Sequence, residues 1–79
     1  KLAVIEIYGR DNCVFCMRAK WLCEHINLEY VYKNVGTDLS RDQLLEMFPN
    51  ARTVPQIKVD GKSIGGFTEL ERLIRSQES

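Results

Sequence analysis

The sequence lacks a charge excess, a long apolar run, an even number of cysteines and all but one histidine. Lysine and arginine number 11, aspartate and glutamate number 11, and the net charge is zero. A phosphate-facing basic surface is not advertised, so no nucleic-acid partner is expected. Apolar runs such as Leu2–Ile5 are short, far below the ~20 residues that a membrane span needs. No membrane partner is expected. No signal peptide is visible, although a chain opening at Lys1 leaves room for a leader already removed. Three cysteines cannot form a fully paired disulfide framework. One histidine gives no support to Ser/His/Asp catalysis. Repeats, low-complexity stretches and linkers are also missing. What is present is ordinary globular composition, 44% hydrophobic and 28% charged. At 79 residues, the whole of 1–79 is expected to form a single domain.

The elements alternate in type. Leu2–Tyr8 is apolar and β-branched apart from Glu6, which suits a buried strand, and Gly9–Asn12 is a polar break. From Val14 to about Ile26, Ala19, Leu22, Cys23 and Ile26 form one apolar stripe at helical spacing. Leu28–Val35 reads as a second strand, so the first three elements make a βαβ unit with parallel strands. A second helix is expected over Leu39–Phe48. Ser40 and Gln43 suit a capping box there, with Leu39 and Leu44 as a hydrophobic staple. Gln56–Val59 and Lys62–Gly65 flank Asp60-Gly61, a hairpin signal of type I′. A last helix is expected from about Thr68 to Gln77, capped by Thr68 with Glu71 closing a second capping box. The order β-α-β-α-β-β-α implies an α/β fold with a mixed four-stranded sheet and three helices, the thioredoxin-like topology.

Cys13-Val14-Phe15-Cys16 opens the first helix, directly after the first strand. The spacing points to a redox pair in a reducing compartment, with the cytoplasm expected. Thiolate is the nucleophile, and free N–H groups at a helix start stabilise negative charge. Cys13 is therefore expected to attack, and Cys16, one turn in, to resolve a mixed disulfide. Zinc is the competing reading. Cys23 lies roughly 10 Å along the helix axis from Cys16, and His25 points about 160° away from Cys23. Four such ligands cannot converge on one tetrahedral ion, so no metal is expected. Cys23 fits the buried stripe as a small hydrophobe, with a regulatory thiol as the sharper alternative. His25 reads as a solvated residue near a helix end. Trp21 lies about 200° round the helix from Ala19, and is expected at the surface, with partner docking as its functional alternative.

With these motifs in view, the chain resembles the glutaredoxins, specifically the small dithiol class. Tyr8-Gly9-Arg10 precedes Cys13-Val14-Phe15-Cys16, and Met17-Arg18-Ala19-Lys20 follows. Arg52-Thr53-Val54-Pro55-Gln56 and Ile64-Gly65-Gly66-Phe67-Thr68-Glu69 stand further on, in the family's order. The resemblance implies a glutathione-dependent thiol-disulfide oxidoreductase with catalytic Cys13 and Cys16. It implies that glutathione lies along Arg10, Phe15, Arg52, Thr53, Val54, Pro55, Gly66, Phe67, Thr68 and Glu69. Pro55 would follow a cis bond, leaving the Val54 backbone to meet the cysteinyl part of glutathione. Arg52, and more loosely Arg10, would meet its glycine carboxylate, and the N–H groups near Thr68 and Glu69 its γ-glutamyl end.

Three departures stand out. Val14 replaces the usual Pro, Phe15 the usual Tyr, and Glu69 the usual Asp. Relatives without that Pro include some that hold a [2Fe–2S] cluster between two subunits, so a cluster carrier is a second reading. The nearest alternative is a redoxin of similar fold served by thioredoxin reductase, some of which carry Val at the position of Val14; Arg52 and Gly65-Gly66-Phe67-Thr68 disfavour it. Disulfide-containing proteins are the expected partners, ribonucleotide reductase among them by resemblance, and a monomer is expected.

Overall fold

The structure, a computed structural model, describes residues 4–78. Its elements in chain order are β1 (Ile5–Gly9), α1 (Val14–His25), β2 (Tyr30–Asn34), α2 (Arg41–Met47), β3 (Gln56–Val59), β4 (Lys62–Gly65) and α3 (Phe67–Glu78). The sheet order is β2-β1-β3-β4. β1 runs parallel to β2 and antiparallel to β3, and β3 is antiparallel to β4. This is the mixed sheet with three helices that the residue pattern implies.

β1 is apolar because both its faces are covered. Side chains alternate along a strand. Ile5 and Ile7 point to one face and are fully buried with Ala19 and Cys23 of α1, Ile57 and Val59 of β3, and Leu70 and Ile74 of α3. Tyr8 points to the other face and packs with Val35, Leu44 and Phe48. Its ring meets Phe48 edge-on at 5.4 Å. The helical stripe is therefore what docks α1 on the sheet. Each large aliphatic side chain buried this way contributes about 1.5–3 kcal/mol.

Local signals set several boundaries as expected. Ser40 Oγ accepts the Gln43 N–H at 3.1 Å and Gln43 Oε1 accepts the Ser40 N–H at 2.7 Å, the full capping box of α2. Asp60 and Gly61 have φ of 53° and 83°, the paired positive values that a type I′ hairpin requires. Other boundaries move. Leu2 and Ala3, assigned to the first strand, lie outside the described residues. Gly9 does not break β1; it pairs with Asn34 of β2. β2 is shorter than Leu28–Val35, with Val35 left in an isolated bridge to Leu39.

The start of α3 differs most. The helix begins at Phe67, so Thr68 lies inside it rather than capping it. The Gly66 carbonyl accepts the first helical bond, from Leu70 N–H at 3.1 Å. Glu69, not Glu71, reaches back, its Oε1 accepting the Gly66 N–H at 2.9 Å. Glu71 instead pairs with Arg75 at 3.5 Å. Tertiary packing decides between these two overlapping patterns. Gly65 takes a φ of 116°, and a side chain on Gly66 would stand 3.3 Å from the Pro55 carbonyl. The chain turns close under Pro55 there, and Phe67 enters the helix against Phe15.

Candidate active site

β1 ends at Gly9, and the next residues carry the chain to Cys13 at the start of α1. Cys13 is extended (φ −114°, ψ 118°) and caps the helix, its Sγ accepting the Cys16 N–H at 3.3 Å. Its carbonyl accepts the Met17 N–H at 3.1 Å. A sulfur so placed meets the positive end of the helix and a free donor, and the first turn of α1 contains no acidic residue to oppose an anion. Cys13 is partly exposed and its sulfur faces the Val54 carbonyl oxygen at 3.7 Å. The Val54–Pro55 peptide is cis.

Cys16 lies one turn deeper and is fully buried. Burial pushes its thiol up to about 12, and the neighbouring Cys13 sulfur raises it too. The Arg10 N–H, which donates to Cys16 Sγ at 3.4 Å, works in the opposite direction. Cys16 is thus a thiol held protonated in the resting protein. Gly9 makes its position possible. A Cβ there would stand 2.6 Å from Cys16 Sγ and 2.9 Å from the Tyr32 hydroxyl.

Two flanks border Cys13. On one, Arg10, Arg52, Thr53 and Val54 line an open groove of about 690 Å³, together with Arg41, Leu44, Leu45 and Ala51. Its charged lining side chains are all arginines. On the other flank, Phe15 is half-exposed and its ring meets Phe67 at 5.9 Å, tilted by 37°, with the Arg18 guanidinium 5.5 Å from the Phe15 ring centre. Thr68 is exposed beside them. Glu69 is held below the usual carboxylate range by the Gly66 N–H, then by its own N–H. The sequence-derived residues therefore fall into two groups, Arg10-Arg52-Thr53-Val54 and Phe15-Gly66-Phe67-Thr68-Glu69, joined at Pro55. Among the described residues no three His, Cys, Asp or Glu side chains gather as a metal site.

An accessible helix-capping thiol, a buried thiol one turn on and a cis-proline turn facing them form one constellation. The family model named Glutaredoxin matches residues 5–64, which carry it.

The chain belongs to the glutaredoxin family. A glutaredoxin of Haemophilus influenzae is 34% identical over 80 residues, covering 92% of each chain. The solution structure of reduced Escherichia coli glutaredoxin is 30% identical with a TM-score of 0.79, covering 92% of this chain and 94% of that one. A buckwheat glutaredoxin, solved as a complex with glutathione, is 25% identical with a TM-score of 0.70, covering 92% of this chain and 69% of that one. As a glutaredoxin the chain is a thiol-disulfide oxidoreductase with a thioredoxin-like fold.

Three residues of this glutaredoxin's site escape sequence reasoning. Arg41 looks like an ordinary first-turn residue of α2, and only the fold brings it to the groove beside Arg10 and Arg52. Tyr32 reads as one of several strand tyrosines, yet its hydroxyl donates to the Arg10 carbonyl at 3.0 Å. Gly9 reads as a break, whereas its missing side chain is the space that Cys16 fills.

Proposed function

We propose that this glutaredoxin reduces protein disulfides and glutathione mixed disulfides through Cys13 and Cys16, with glutathione as the reductant. The observation that carries the reading is the pairing of an accessible thiol at a helix start with a protonated, fully buried thiol one turn away. Cys13 thiolate attacks one sulfur of a substrate disulfide. The substrate S–S bond breaks, a mixed disulfide forms at Cys13, and the other substrate sulfur leaves as a thiol. Cys16, as thiolate, then attacks the Cys13 sulfur. The second substrate thiol departs and a Cys13–Cys16 disulfide remains. Forming the mixed disulfide removes the charge and hydrogen bond through which Cys13 raises the Cys16 thiol, so Cys16 ionises more readily when it is needed. One glutathione thiolate then opens the Cys13–Cys16 bond at Cys13. A second takes the first away as glutathione disulfide.

Glutathione suits both flanks. Its glycine carboxylate matches the Arg10, Arg41 and Arg52 groove, where a planar guanidinium can hold a carboxylate by two hydrogen bonds. Its cysteinyl backbone suits the Thr53-Val54 segment. The turn at Gly66, Phe67 and Thr68 opens a helix whose N–H groups favour its other carboxylate. The buckwheat neighbour's complex supports the same ligand class. The cytoplasm is the proposed setting, a monomer the proposed state, and ribonucleotide reductase one client to assay.

The test is reduction of a small glutathione mixed disulfide, with glutathione regenerated by glutathione reductase, run beside a thioredoxin-reductase assay. Turnover is expected with glutathione and not with thioredoxin reductase. The reverse pattern would overturn the reading.

A further inference from the structure

The dithiol reading leaves one step without a partner: a buried thiol must ionise before it can resolve the mixed disulfide. Cys16 Sγ has few polar neighbours. Its own helix supplies Cys13, and the loop before α1 supplies the Arg10 N–H at 3.4 Å. β2 supplies Tyr32. The Tyr32 hydroxyl and Cys16 Sγ lie 2.9 Å and 2.6 Å from the same point above Gly9, so they face each other across the space that glycine leaves open. The same hydroxyl donates to the Arg10 carbonyl at 3.0 Å. Both polar groups of Arg10's own backbone are therefore engaged, the carbonyl by Tyr32 and the N–H by Cys16. The remaining charges near this cluster are Asp11 and Lys20, whose Nζ lies 5.6 Å from the Tyr32 ring centre.

We infer that Tyr32 is a positioning residue for the resolving thiol, holding the Arg10 backbone against Cys16 Sγ in the resting protein and turning its one O–H from the Arg10 carbonyl to that sulfur as it ionises. The inference rests on the dithiol reading and adds a residue that it does not include. Tyr32 keeps its proton throughout, since burial first, then Cys16 and Asp11, raise it well above the ordinary phenol range. The Cys16 thiol is in turn lowered by the Tyr32 hydroxyl. In the step itself Cys16 loses its proton to solvent and its sulfur bonds to Cys13. The Cys13–substrate bond breaks with its electron pair on the substrate sulfur, and that sulfur takes up a proton from solvent. Tyr32 only donates a hydrogen bond.

Tyr32→Phe removes the hydroxyl and keeps the ring. A hydrogen bond of ordinary strength predicts a slowing of about threefold to tenfold in reduction of a protein disulfide that needs both cysteines. Reduction of a small glutathione mixed disulfide, which needs Cys13 alone, should stay within about twofold. The rising limb of the protein-disulfide pH–rate profile, set by ionisation of the resolving thiol, should move up by about 0.5 to 1 unit. In a Cys16→Ser background, Tyr32→Phe should add nothing. Equal slowing of both reactions, or an unmoved rate and pH profile, would overturn the inference. Failure of the dithiol reading has its own signature, a Cys16→Ser protein that reduces protein disulfides as fast as its parent, and that result would overturn both.

Discussion

Cys13 and Cys16 sit one turn apart on the same helix and experience different surroundings. Cys13 caps α1, faces Val54 and touches solvent. Cys16 is sealed between α1, Gly9 and Tyr32, with no exposed surface. The difference comes from two local facts. A capping residue takes extended backbone, which swings its side chain over the helix mouth. A residue one turn later faces the sheet, like Ala19 and Cys23 after it. Opposite surroundings, and with them the two duties proposed for these sulfurs, thus follow from a spacing of three residues at one helix start.

The comparison can be broken at its strongest point first. Cys13→Ser should lower turnover of both mixed and protein disulfides on the order of a thousandfold, because the other two cysteines, Cys16 and Cys23, are fully buried. A glutathione-coupled assay checks this. Next, Cys16→Ser should reduce dithiol-dependent protein disulfides at least about tenfold more slowly, while the mixed-disulfide rate stays within about twofold. Equal losses in those two assays would erase the division of labour. Gly9→Ala should then destabilise the fold by about 1–3 kcal/mol, since its Cβ collides with Cys16 in a packed site. Denaturant titration measures that.

The smallest effect is alkaline. Burial raises Cys16 to about 12 and Cys23 to about 11, from an ordinary value of 9.0. Both thiols stay neutral in the fold while the unfolded chain ionises, so their contribution is complete below pH 9 and declines as pH rises toward 11–12. Each should cost about 1 kcal/mol by pH 10. Cys16→Ala and Cys23→Ala should each flatten the fall in unfolding midpoint above pH 9.

Signals contained within a few residues were legible in the sequence. Ser40 and Gln43 meet across one turn, Asp60-Gly61 closes its own hairpin, and Cys13 and Cys16 share a helix start. The apolar stripe of α1 and the run in β1 identified the main core because burial imposes their periods directly. The start of α3 differs from the sequence expectation for a physical reason. Gly66/Glu69 and Thr68/Glu71 are both plausible capping pairs two residues out of phase, and the close approach of Gly66 to Pro55 chooses between them. Arg41, Tyr32 and Gly9 were illegible because their roles exist only where separate segments converge. The order and spacing of the glutathione-type motifs revealed the family, but not that these residues divide into two flanks around Cys13.

The hairpin between β3 and β4 has a practical consequence. Asp60 clasps the beginning of the described chain, its N–H donating to the Val4 carbonyl at 2.9 Å and its Oδ1 accepting the Val4 N–H at 3.0 Å. The five residues of β1 then separate this clasp from the loop that carries Cys13, a span of about 13–17 Å at strand rise. A dye or bead coupled beside this Val4–Asp60 clasp therefore joins the molecule at the end of β1 remote from the Cys13 loop. Such a tether keeps the Cys13 face away from the support, and makes immobilised capture of mixed disulfides a format in which the proposed reaction can be assayed.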